Sequence, residues 1–368
     1  MRVDNIFHEQ EVPYYIPCMY PLVHEYLKNN NLNSYLSLHL NIELLGLPSF
    51  CKNEDMTSFK VNISAYNAKR LGYKSRGEYL GFALNRKECR DQKEGLELLK
   101  SMIKCNNAVI VSGSQFHIPY CINYKNVNYI KKYPNPLFGV VNHWVNVYGI
   151  ENKEVLIRDT TFNYWGIVQI EDFLEFWKGD KYIDGLKNFP GVSGLLENGY
   201  VDVKVSSNLS AAEFKEFFMR TILTIACEYI TGEHVNNDGL TYYFGKAALE
   251  ELYNSIAFPT ELKREVLESF SSCLYNLRFN RFIFRDLLLE MKNIFGGAYE
   301  EQLNDFNEIV SKLEDVAYIY AVNLKRNRIN FDIIQMILVK FRDYIEAETI
   351  FFEKLIELHK GFVLLEKV

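Results

Sequence analysis

The sequence predicts an α+β domain over residues 1–205 followed by an all-α helical domain over residues 206–368. Three patterns predict it. Short apolar or alternating runs, bounded by turn-forming residues, recur in the first half and read as strands. After Ser210 the apolar residues fall almost wholly at helical spacing over long stretches. Between the two lies a Gly- and Pro-bearing stretch, 185–199, and one last alternating run, YVDVKV at 200–205.

In chain order, residues 19–29 (MYPLVHEYLKN) read as a short helix and residues 31–45 as helical or mixed. Residues 95–106 place Leu96, Leu99, Met102 and Ile103 at helical spacing. The run AVIVSG at 108–113 reads as a buried strand. HWVNVYGI at 143–150 alternates, with Trp144, Asn146 and Tyr148 on one face and His143, Val145 and Val147 on the other. EVLIRD at 154–159 is a second strand, and the ENK connection makes the pair an antiparallel hairpin. IEDFLEFWKG at 170–179 is a helix stopped by Gly179. Ser210 and Glu213 have capping-box spacing, a hydroxyl at the N-cap with a carboxylate three residues on, and open the helical half. The stretches 212–230, 281–295 and 331–360 continue it, without internal repeats.

A chain of 368 residues has length for about two domains, each able to bury a core. Apolar residues at 48% and charged residues at 24% are those of a globular protein. Aromatics at 15% exceed ordinary core needs and leave room for an aromatic-lined channel. The balance of 41 basic against 47 acidic residues, net −6, argues against a nucleic-acid binder and suits small amines or a protein partner. Seven scattered cysteines without a CxxC pair point to free thiols in a reducing, cytoplasmic setting. The opening MRVDNIFHEQEVP has no apolar stretch of a secretory signal, and the most apolar helical run, from Ile333, is interrupted by Gln335 and Lys340. No membrane association is expected. His117 and Cys121 are four apart, but Pro119 separates them and no second pair exists, so no metal is expected. No phosphate-binding Gly loop appears.

The chemistry concentrates on three residues. A cysteine enzyme needs a thiol held as thiolate, a base to take its proton, and a third group to orient the base. Cys18 follows Pro17 and opens a helical stretch, where unpaired backbone N–H groups favour an anion. Pro21 falls in the first turn, where a missing N–H costs nothing. His143 opens one strand of the hairpin and Asp159 closes the other, so both sit at its open end. The order Cys, a long gap, His and then Asp or Asn is that of papain-type enzymes. Each residue has an ordinary alternative. A Cys before a helix is commonly a small buried hydrophobe, a strand-edge His a structural one, and an Asp followed by Thr-Thr a turn starter.

The runs AVIVSGSQFHIPY (108–120), VNHWVNVYGIENKEVLIRDTT (141–161) and GIVQIEDFLEFWKG (166–179) resemble the butirosin-type acyltransferase N-terminal family. The family's aromatic-Leu-Pro-Tyr segment is matched by Phe116 to Tyr120, its base and orienter by His143 and Asp159, and its nucleophile by Cys18. The usual acidic residue before the Pro-Tyr segment is replaced by Ser114. The resemblance covers roughly residues 14–180, and more loosely the helical domain that often follows. It implies a papain-like (C39-like) cysteine protease fold. It also implies an N-acyltransferase that moves an acyl chain from an acyl or peptidyl carrier protein to a small amine or diamine. An acyl-Cys18 would be the intermediate and an amide the product. No cofactor would be bound, the phosphopantetheine arm arriving with the carrier. Family settings include aminoglycoside acylation and, for a related enzyme, amide formation with a diamine in closthioamide assembly. With the Cys18 N–H, Gln10 is the candidate oxyanion donor, although papain-like enzymes often place a Gln nearer the nucleophile. Ser114, Tyr120, Trp144 and Trp165 are the candidate substrate contacts. A cysteine peptidase or amidase, and a non-catalytic papain-like binding module, are the alternatives.

Overall fold

The computed structural model describes residues 18–30, 32, 47–53, 59–61, 82–105, 108–130, 142–179, 196–205, 210–237, 240–257 and 263–359. The protein is mixed α and β, a sheet region followed by a predominantly helical C-terminal region. It divides into two compact units, residues 1–37 with 77–208, and residues 38–76 with 209–368.

The described part of the first unit opens with α1 (Met19–Asn29). Its other elements are β3 (Phe82–Glu88), α2 (Gln92–Lys104), β4 (Val109–Ser114), α3 (Val127–Ile130), β5 (Asn142–Glu151), β6 (Glu154–Asp159), β7 (Tyr164–Gln169), α4 (Ile170–Trp177) and β8 (Gly199–Val205). The strands form an antiparallel sheet in the order β3-β8-β4-β5-β6-β7. One face carries the apolar core: Val109 and Val111 of β4, Val145 and Val147 of β5 and Ile157 of β6 pack with Leu99 of α2 and Phe176 and Trp177 of α4. Strands β4, β5 and β6, which present Val and Ile to this face, need such a cover, and the amphipathic helices α2 and α4 supply it.

The other face receives α1 through polar contacts that follow the strand alternation. Asn146 Nδ2 donates to the Leu22 carbonyl at 3.2 Å. Tyr148 donates its hydroxyl to Glu25 Oε2 at 3.2 Å, and Arg158 Nε donates to Glu25 Oε1 at 3.3 Å. Asn29 Nδ2 donates to the Tyr148 hydroxyl at 3.2 Å. Glu25 and Arg158 are buried, so each depends on the other for neutralisation. These contacts run in step from Leu22 at Asn146 to Asn29 at Tyr148. They place the N-terminus of α1, with Cys18, at the His143 end of β5.

In the second unit, β1 (Ser49–Asn53), β2 (Phe59–Val61), β9 (Glu233–Asn237) and β10 (Leu240–Phe244) form an antiparallel sheet in the order β2-β1-β10-β9. The helices are α5 (Ala211–Thr231), α6 (Lys246–Ala257), α7 (Arg264–Phe295), α8 (Glu300–Lys325) and α9 (Phe331–Leu358). The C-terminal half is therefore not all-α, as the sequence reading had it. The hairpin β9–β10 interrupts the helices, and β1 pairs with its β10 and β2 with β1, instead of staying with residues 1–205. Backbone groups of these short strands find hydrogen-bond partners across that sheet. The capping box at Ser210 and Glu213 is formed, with Ser210 N donating to Glu213 Oε2 at 2.9 Å and Glu213 N donating to Ser210 Oγ at 3.2 Å. Inside the bundle, Arg281 of α7 pairs with Glu348 of α9 at 2.8 Å, both fully buried. Among the described residues no helix is long and apolar enough to cross a membrane.

Candidate active site

Cys18 is the N-cap residue of α1 and is half-buried. Its position is pinned from the turn after β6, because Thr160 Oγ1 donates to the Cys18 carbonyl at 3.4 Å. The sulfur therefore sits at a helix N-terminus, where backbone N–H groups are without intrahelical partners and favour negative charge.

His143 faces Asp159 because of a β-bulge. Across the hairpin, Glu151 pairs with Glu154, Ile150 with Val155 and Gly149 with Leu156. Beyond that point Val147 pairs with Ile157 and Asn146 with Arg158, a register shifted by one at Tyr148 and Gly149. Continuing the shifted register sets Asp159 across from Val145, on the same face as His143 two residues away. In the unshifted register Asp159 would face Asn146, and the His143 side chain would point to the opposite side of the sheet. The extra residue thus aims the imidazole at the carboxylate. Directly behind, Gly113 pairs with His143, and a Cβ at Gly113 would collide with the Phe176 carbonyl, so glycine lets α4 lie close beneath the site.

His143 Nε2 and Asp159 Oδ2 are 2.7 Å apart, with the histidine 3% and the aspartate 0% exposed. The other donors to Asp159 are Tyr120, whose hydroxyl donates to Oδ2 at 2.8 Å, and the backbone N–H groups of Thr161 and Phe162, which donate to Oδ1 at 3.0 and 3.2 Å. Asp159 is therefore both the turn starter and the partner of the histidine, one role for each oxygen. Because Nε2 is committed to Asp159, Nδ1 is the ring nitrogen left for Cys18, which acts on the His143 imidazole electrostatically. Burial, the largest influence on the imidazole, works against its protonation. The charge and hydrogen bond of Asp159, with smaller contributions from Cys18, outweigh it and push the His143 pKa up to about 10. Phe162 covers the imidazole, with ring centroids 5.4 Å apart. The arrangement can hold an imidazolium beside a sulfur, give its proton to a leaving group, and take one back.

The structure brings together Cys18, His143, Asp159 and Tyr120 of the residues that the sequence singled out. Tyr120 lies against Asp159, behind the imidazole. Ser114 is buried at the end of β4, paired in register with Asn142. Trp144 and Trp165 lie on the α1 face of the sheet, away from the His143 face. Trp144 packs under the Arg86 guanidinium at 5.4 Å. Trp165, 40% exposed, pairs with Arg158 and packs edge-on against Tyr148. Gln10 lies outside the described residues. Among the described residues no group of His, Cys, Asp and Glu could hold a metal ion.

The sequence reading missed Thr160, Phe162 and the Glu25–Arg158–Tyr148 anchor of α1. Arg158 next to Asp159 was a visible signal, since an Arg on a buried strand needs an acidic partner. A comparison of the sequence with models of known protein families and with curated proteins finds no match.

Proposed function

We propose that this chain is a cysteine-dependent N-acyltransferase of papain-like (C39-like) fold, which forms an amide through an acyl-Cys18 intermediate. The observation that carries the reading is the alignment of a helix-N-terminal thiol, a buried imidazole of raised pKa and a fully hydrogen-bonded carboxylate. The donor is an acyl or peptidyl carrier protein bearing its chain on phosphopantetheine, and the acceptor is a small amine or diamine. The Cys18 thiolate adds to the thioester carbonyl. The tetrahedral intermediate collapses, the carbon–sulfur bond to pantetheine breaks, and His143 Nδ1 gives its proton to the departing thiolate. Exchange of one thioester for another is nearly isoenergetic, which suits a cysteine to this donor. The amine then adds to the acyl-Cys18 carbonyl and neutral His143 takes a proton from its nitrogen. Collapse releases the amide and restores the thiolate–imidazolium pair. Amine attack must outrun water. The burial of His143 and Asp159 beneath Phe162 supports a site that restricts water, and so favours transfer over hydrolysis.

The test is intact mass after mixing the protein with acylated carrier protein. Wild type gains the acyl mass, Cys18→Ala does not, and an added amine discharges it. Discharge by water at the same rate without amine would assign the site to a peptidase or amidase. Absence of loading in wild type would remove the covalent mechanism.

A further inference from the structure

We infer that Tyr120 is a positioning residue of this site: by sharing Asp159 Oδ2 with the His143 ring, it fixes the carboxylate and divides the negative charge that the imidazole feels. The inference rests on the Cys18–His143–Asp159 reading and assigns to Tyr120 a role other than substrate contact. The two donors on that one oxygen stand at 2.8 Å for the hydroxyl and 2.7 Å for the imidazole. The Tyr120 ring is itself held. It stacks on Tyr164 with centroids 3.8 Å apart at 10°, and meets Phe162 edge-on at 6.1 Å. Burial first, and then the neighbouring Asp159 charge, raise the phenol pKa, so the hydroxyl stays a neutral donor across the working pH range.

The charged and titratable groups acting on His143 are Asp159 from β6 and Cys18 from the start of α1. Those around Asp159 are His143, Tyr120 and Cys121, the last with its thiol pushed up to about 12, chiefly by burial. Tyr120 is thus the one neutral hydroxyl, among the described residues, that shares a carboxylate oxygen with the imidazole. Its removal leaves Oδ2 entirely to His143, which strengthens the pull on the ring proton and loosens the carboxylate's orientation.

The test compares wild type, Tyr120→Phe and Tyr164→Phe as full-length proteins. The readout is the pH dependence of Cys18 alkylation by iodoacetate, followed by peptide mass spectrometry. Iodoacetate is an anion, so an imidazolium beside the thiolate accelerates it, and the rate falls as His143 loses its proton. Tyr120→Phe keeps the ring stack. Its high-pH limb moves upward by about 0.5–1 pH unit, the effect of one neutral hydrogen bond on a titrating partner. Tyr164→Phe removes a hydroxyl from the same stack, one that donates to the Ile167 carbonyl, and leaves the limb in place. A Tyr120→Phe profile superimposed on wild type overturns the inference while leaving the Cys18–His143 reading intact. A wild-type limb that persists in His143→Ala overturns that reading, and this inference with it.

Discussion

Asp159→Asn separates the charge of the carboxylate from its geometry. Asparagine keeps an oxygen for the Thr161 and Phe162 N–H groups, so the turn after β6 survives. What is lost is the negative charge 2.7 Å from His143 Nε2. In wild type the folded imidazole has its pKa pushed up to about 10 from the ordinary 6.5. A base with a raised pKa contributes stability that is fully present below the unfolded value. That contribution is lost as pH rises through the folded value. The stabilisation therefore stands at pH 6, declines between about 6.5 and 10, and is gone above. In the variant, burial is opposed only by the smaller contributions of Cys18 and disfavours the imidazolium, so acid conditions weaken the fold instead. The stability gap between the two proteins is then widest near pH 6 and closes toward pH 10. A hydrogen bond to a charged group contributes about 1.5–3 kcal/mol. For a unit of this size that corresponds to roughly 5 °C in Tm at pH 6. Thermal unfolding of both proteins at pH 6, 8 and 10 measures it, and titrations common to both cancel in the difference. A gap that stays constant with pH would refute the claim that Asp159 holds His143 protonated.

Other predictions follow from the same geometry. His143→Ala blocks loading of Cys18 by an acylated carrier, whereas Asp159→Asn slows it less; intact-mass time courses rank them, and equal rates in all three proteins contradict the assignment of roles. Gly113→Ala forces β4 and α4 apart beneath His143, costing about 1–3 kcal/mol in denaturant unfolding; an unchanged midpoint would mean that the close approach to Phe176 is not required. In the helical unit, Glu348→Gln leaves the buried Arg281 guanidinium uncompensated and destabilises by about 3–5 kcal/mol. A loss below 1 kcal/mol there would show that the guanidinium reaches water.

The site was legible where local chemistry decides placement. Pro17 and Pro21 frame a helix start at Cys18, and the ENK connection closes a hairpin whose tight turn has Asn152 at φ +53°. What the alternation of HWVNVYGI could not reveal is the one-residue shift at Tyr148 and Gly149. A strict period of two continues on paper through a bulge, and only Gly149 within a strand hints at it. The shift decides which face His143 takes relative to Asp159, so the sequence placed the pair at the right end of the hairpin without the feature that joins them. Tyr120 was visible as part of a Pro-Tyr segment. Its partner was not, because that partner comes from a strand distant in sequence. In the second unit, the Asp238-Gly239 dipeptide was the available hairpin signal between β9 and β10. The long helical periodicities on either side outweighed it. Strands β1 and β2 are too short to show a period, and they are defined by pairing, β1 with β10 and β2 with β1.

The most direct measurement is a competition between two thiols of the same chain. Cys105 is exposed and Cys18 only half-buried, so accessibility alone favours Cys105. At pH 6 an ordinary thiol is mostly protonated and slow toward iodoacetamide. If His143 activates the sulfur, peptide mapping finds Cys18 modified at least about tenfold faster than Cys105, and His143→Ala abolishes the preference. Cys105 reacting first in wild type would contradict the account.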